Sequence, residues 1–296
     1  MKKSVHIIFY AGLLLGLACK RNDVATPSFE VTTAKAVYKA GDSVIFSITG
    51  NPDFLIFFSG EQGKKYENVQ RTTAQGKPVM SFETSAQNGS QVKSLSLMVS
   101  NNFGGVYNAD AVSRAQWTEL TGRAVMSVGA ADVKSGDIDL SDFAAAPNTW
   151  IAFRFTGRQS STEPQRQWII KNFVLNNVLT DGSMVPLFAN ISASGWIAVD
   201  LKNPDVKWAT PTATQLQING GPAKTPDNDD WIISSAVNLR AVKPDVGVSI
   251  KDMTVRQNSY AYRYVTPGTY TVTFVGATNN VNGKKEVVKQ LQLKIE

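Results

Sequence analysis

Histidine and cysteine are nearly missing from this chain, which has one of each, His6 and Cys19, in 296 residues. Both stand close to the start, where a secretion signal would take the first away and lipid would occupy the second. Without a free imidazole or thiol, Ser-His-Asp and Cys-His nucleophiles, histidine bases, His/Cys zinc sites, haem ligation and disulfides all drop out. Catalysis is then left with a carboxylate pair of the glycosidase type, and metal binding with an all-oxygen site suited to calcium.

Long runs of one character are missing too. No Lys/Arg run exceeds two residues, so nucleic acid is not an expected partner. The apolar stretch 5–15 is too short for a permanent membrane helix. No long amphipathic helical window follows it, and no repeat of fixed period appears.

What is present at the start reads as a signal. Lys2 and Lys3 supply a positive end, residues 5–15 an apolar stretch, and Gly16-Leu17-Ala18 precede Cys19. A small residue before a solitary cysteine resembles a lipobox, although Gly16 and Leu17 stand in the opposite order to the usual pattern. The expectation is a signal peptide over 1–18, lipidation of Cys19 and a tether over 19–28; cleavage by a general signal peptidase is the alternative. Loss of two lysines and no acid lowers the formal charge from +6 to +4.

The remainder, 43% hydrophobic and 18% charged over the whole chain, has a globular composition and a period-two pattern with frequent turn formers. Candidate strands are 29–33, 43–49, 54–59, 79–84, 94–100, 117–120 and 150–155. Further ones are 168–179, 195–199, 214–218, 231–233, 260–264, 270–275 and 290–295. Between them lie turn sequences such as Gly50-Asn51-Pro52-Asp53, Gly220-Gly221-Pro222 and Pro267-Gly268. The fold class is all-β.

Tyr38-Lys39-Ala40-Gly41-Asp42-Ser43-Val44-Ile45-Phe46 resembles the opening of a PKD-type immunoglobulin-like domain. Tyr262-Arg263-Tyr264-Val265-Thr266-Pro267-Gly268-Thr269-Tyr270 resembles its close. That separation implies a sandwich over 29–70 and 257–296, interrupted by an insert over 71–256. The insert resembles a cleaved-adhesin-type jelly roll. The resemblance implies a circular permutation, because Asp229-Asp230-Trp231-Ile232-Ile233-Ser234, often the opening motif, comes last. Taken whole, with Gly50-Asn51-Pro52-Asp53 and Ser59-Gly60-Glu61 as its marks, the chain resembles a Bacteroidetes lipoprotein family, domain of unknown function 5017. That resemblance implies an envelope location, often among proteins for nutrient capture, and no particular ligand.

Several residues are candidates for a site. Trp196 and Trp208 flank turn-rich sequence, where an indole could stack on a sugar ring; Trp117, Trp150, Trp168 and Trp231 read as core. Arg158, with Arg154 and Arg166, could orient hydroxyls or carboxylates of an acidic glycan, or form a solvated face. Asp227, Asp229 and Asp230 lie in an oxygen-rich run that could close a calcium site, possible partners being carbonyls of Gly220-Gly221; the alternative is a plain acidic turn. Glu61, Glu67 and Asp53 could include a glycosidase pair.

The leading expectation is a non-catalytic binding lipoprotein that captures glycan beside a nutrient-uptake system. Its partners would be outer-membrane lipid through Cys19 and a polysaccharide or importer complex. The cell surface is preferred to the periplasmic face, although Lys20 and Arg21 directly after Cys19 fit the latter. The alternatives are an adhesion or structural protein-protein module and, ranked last, a carboxylate glycosidase.

Overall fold

The computed structural model describes residues 23–296, so the signal-like segment, His6 and Cys19 lie outside the described residues. The protein is all-β, with several antiparallel sheets and one short α-helix, Ala109–Arg114, among the described residues. It divides into two compact units, the chain up to Gln70 together with Pro244–Glu296, and Arg71–Lys243. No described helix is long and apolar enough to cross a membrane.

The discontinuous unit is built from two sheets. One has strands Phe29–Thr33, Ser43–Gly50 and Ser259–Arg263, in that order. The other runs Val248–Lys251, Phe54–Phe58, Gly268–Asn280, Gly283–Ile295 and Val37–Tyr38, with only the last pair parallel. Alternation dictates the core: in Ser43–Gly50, Val44, Phe46 and Ile48 point inward while their neighbours are exposed. Phe46 and Phe57 each pack on Phe274, with ring centroids 5.1 and 5.2 Å away. Burial of side chains this size contributes about 1.5–3 kcal/mol each.

The insert boundary expected at 256 is corrected to 243. Val248–Lys251 pairs with Phe54–Phe58, and the Asp245 carboxylate accepts the backbone N–H of Lys65 at 2.9 Å. Both contacts tie 244–256 to the discontinuous unit. The Val248–Lys251 strand escapes pattern reading because it is short, sits at a sheet edge and buries only Lys251 fully.

The second unit also has two main sheets. The first runs Ile197–Lys202, Asn228–Ile233, Trp150–Gly157, Leu95–Ser100 and Thr118–Glu119. The second centres on Gln167–Leu179 paired with Gly76–Gln87, with Met184–Phe188 and Gln215–Ile218 beside the former and Val133–Lys134 and Ile138–Asp139 beside the latter. Met80, Phe82, Ile170, Phe173 and Leu175 from one sheet meet Leu97, Ile151, Phe153, Phe155 and Ile232 from the other in a single core. Phe82 and Phe153 meet edge to face at 5.0 Å. A separate apolar cluster, including Phe103, Trp150 and Trp231, covers the opposite face of the first sheet beneath Ala109–Arg114 and its flanking loops.

Candidate functional site

Local geometry at Ser59-Gly60-Glu61 builds a cleft in the discontinuous unit. The strand Phe54–Phe58 ends in apolar residues, and the chain then turns through Gly60 at a φ of +81°. A side chain here is doubly opposed, since a Cβ would also lie 2.7 Å from the Thr271 carbonyl oxygen. The turn presents Glu61, whose Oε2 accepts from the Ser59 hydroxyl at 2.9 Å and the Tyr262 hydroxyl at 2.5 Å. Tyr264, fully buried, donates its hydroxyl to the Ser59 carbonyl at 2.9 Å.

Tyr262, Tyr264 and Tyr270 form a ladder, with centroids 4.9 Å apart for the first pair and 4.7 Å for the second. Tyr270 is anchored by its hydroxyl on the Thr266 carbonyl, 2.8 Å away. Burial pushes all three phenols above their ordinary ionisation range; the Glu61 charge adds to this for each. They remain neutral hydrogen-bond donors at neutral pH.

The cleft so formed has a volume of about 270 Å³ and is lined by Gly60, Glu61, Gln62, Lys65, Glu67, Thr269, Tyr270 and Thr271. It combines carboxylates, an ammonium, an amide, threonine hydroxyls and an aromatic ring. Such a set offers donors and acceptors to a hydroxyl-rich ligand and a flat surface to its apolar side. Two of the three carboxylates singled out in the sequence, Glu61 and Glu67, meet here. Asp53 does not; its carboxylate accepts from the backbone N–H of Asn279 at 3.4 Å. In sequence Tyr262 and Tyr270 carry only a strand pattern, because their link to Glu61 crosses two hundred positions and has no local signature.

Both tryptophans expected to face a ligand are buried. Trp196 is 7% exposed and packs on Phe173 and Phe153 at 5.0 and 5.6 Å. Trp208 is 3% exposed and donates its indole N–H to the Asp230 carbonyl at 3.3 Å. Despite turn-rich flanks, each indole points inward and fills the core. Trp117 is half-buried beside Trp231, 4.9 Å between centroids.

The three arginines are held apart. Arg158 is exposed, with its Nη2 on the Val92 carbonyl at 3.3 Å and its backbone N–H on Gln91 Oε1 at 2.9 Å. Arg154 grips Asp229 through two bonds, of 2.9 and 2.6 Å, and lies over Trp231. Arg166 serves the carbonyls of Gly89 and Val128.

Asp227, Asp229 and Asp230 do not converge, and no group of three acidic, histidine or cysteine ligands occurs among the described residues. The strand begins at Asn228, so Asp229 and Asp230 fall on opposite faces of it. Asp227 is exposed and engaged by the Gln159 N–H at 2.8 Å and Lys202 at 3.3 Å. Asp229 holds Arg154, while Asp230 is fully buried beside Asn228 and Asp200. Burial, followed by the bond to Asp200, pushes the Asp230 carboxyl up to about 9.

No curated protein matches the chain. The model of a family described as a domain of unknown function, DUF5017, matches residues 18–196, which include the Ser59-Gly60-Glu61 turn and Glu67. More than half of the sequence is covered, and the protein belongs to the DUF5017 family.

Proposed function

We propose that the protein is an envelope-anchored, non-catalytic binding lipoprotein that captures glycan beside a nutrient-uptake system, gripping it in the Glu61–Tyr270 cleft. The observation that carries this reading is the cleft's mixed lining, with an aromatic ring next to fixed hydrogen-bonding groups. Glu61 is held as an acceptor by two hydroxyl donors. That suits positioning of a ligand better than the proton delivery that glycoside cleavage requires of one of its two carboxyls. Lipid at Cys19 would keep the cleft near the membrane.

A soluble form spanning residues 24–296 tests the reading on a polysaccharide array and affinity gels. Retention of one glycan class, weakened at least tenfold by Tyr270→Ala or Glu67→Gln, supports it. Silence across a broad panel with capture of an envelope protein would replace it with the adhesion reading. Steady release of reducing sugar would replace it with the glycosidase. Labelled fatty acid in wild-type cells but not in Cys19→Ala tests the anchor, and protease shaving of intact cells tests exposure at the surface.

A further inference from the structure

The tether over residues 24–28 leads to a hairpin tip. It runs along the ribbon of Gly268–Asn280 and Gly283–Ile295: a Cβ at Gly276 would come 2.4 Å from the Phe29 ring, and one at Gly283 would lie 3.9 Å from a Val24 methyl group. Gly276 pairs with Val287 and Gly283 with Asn280, so the chain moves toward the tip from Phe29 back to Val24. Val24 and Pro27 are buried, which holds it there. Val24 stands five positions after Cys19, a reach of about 18 Å at most. Whatever is attached to Cys19 is thereby kept at this end of the discontinuous unit.

The tip, Asn280-Val281-Asn282-Gly283, is a tight turn braced by the Asn282 N–H on Asn280 Oδ1 at 2.8 Å. Val281 is fully exposed at its apex. Lys284 and Lys285 follow, both exposed, on opposite faces of the ribbon. Lys284 pairs with Glu286, and Asp53 nearby takes the Asn279 N–H at 3.4 Å. No Asp or Glu stands between Asp252 and Glu286 in the sequence. Lys20 and Arg21, directly after Cys19, add two positive charges against the negative charge of Asp23. An apolar apex flanked by lysines suits a partner that is anionic at its face and apolar beneath.

We propose that this hairpin tip is a second membrane contact, in which Val281 enters the headgroup layer and Lys284 and Lys285 rest on the phosphates of anionic phospholipid. The inference rests on the lipid at Cys19 advanced above. Lipid on a cysteine tethers without setting orientation, and a basic patch beside it adds affinity and a fixed attitude. Tyr270 lies near the other end of the ribbon, eleven positions from Val281. The ribbon therefore lifts the Glu61–Tyr270 cleft about 35 Å from the headgroups.

Lipid on Cys19 leaves no other thiol, so Val281→Cys can be labelled alone with a fluorophore in the full lipidated protein. Val265→Cys, exposed at the far end of the ribbon, is the control. Both are reconstituted in vesicles of phosphatidylcholine with phosphatidylglycerol. Expected is quenching of the Val281 label by a quencher carried on phospholipid, while the Val265 label answers only to aqueous iodide. Lys284→Glu with Lys285→Glu, exposed changes that leave the core untouched, should reduce the lipid-borne quenching about tenfold. Equal iodide access of the two labels in protein that carries fatty acid would overturn the hairpin contact and leave the anchor standing. Undiminished quenching in the double variant would overturn the part given to the lysines. Protein without fatty acid would remove the anchor and this contact with it.

Discussion

The Tyr262 hydroxyl donates to Glu61 Oε2 at 2.5 Å across 201 positions of sequence. The bond joins the Ser59-Gly60-Glu61 turn in the first half of the discontinuous unit to the strand Ser259–Arg263 in its second half, and it fixes the carboxylate at the cleft. Tyr262→Phe keeps the ring in its ladder and removes only the hydroxyl. A hydrogen bond to a charged group is worth about 1.5–3 kcal/mol, discounted here because both partners are partly exposed. The expected loss in denaturant unfolding is therefore about 1 kcal/mol, with weaker retention on any glycan that wild type binds.

Gly60→Ala should be more damaging than its size suggests. It forces a side chain into a left-handed backbone at +81° and against the Thr271 carbonyl. A loss of about 1–3 kcal/mol is expected, read as a drop in Tm. A neutral result would mean that the turn moves aside readily.

Trp196→Ala separates packing from recognition. Removing a buried indole from the core beside Phe153 and Phe173 should cost about 3–5 kcal/mol of stability, measured by chemical unfolding. Glycan affinity at temperatures where the variant stays folded should not change.

Alkaline pH should destabilise the tyrosine ladder. The folded-state phenols ionise above the ordinary value of 10.0, so the unfolded chain releases protons first as pH rises. Stability is fully present below about 10 and falls above it. Ultraviolet titration of the phenolates should show late-ionising tyrosines in the wild type, fewer of them in Tyr264→Phe, and a merged ordinary transition in urea.

Inward alternation made the central strands legible from sequence. Ser43–Gly50 buries every second residue against a core, and a period-two pattern is the direct record of that, whereas Trp150–Gly157 is covered on both faces and shows as a run of apolar residues. Edges leave no such record. The hairpin of Gly268–Asn280 and Gly283–Ile295 runs well past the predicted strands because Lys284, Lys285 and Glu286 face solvent on both sides of the ribbon. The site was half legible. Glu61 and Glu67 stood out as carboxylates in a turn-rich segment, whereas the aromatic wall comes from the far end of the chain. The acidic run at 227–230 misled for the converse reason: neighbours in a strand point apart, and the partner that Asp230 meets, Asp200, lies thirty positions away.

The pairing of Phe46 with Tyr260 has a consequence for the order of assembly. As the polypeptide emerges from its N-terminus, residues 71–243 are complete while the segment around Phe46 still lacks its partner strand. The middle of the protein therefore closes first, and the opening strands wait with an unsatisfied edge until the last fifty residues arrive. Truncation behind Lys243 should strand the early segment in an aggregation-prone state while leaving the centre able to fold.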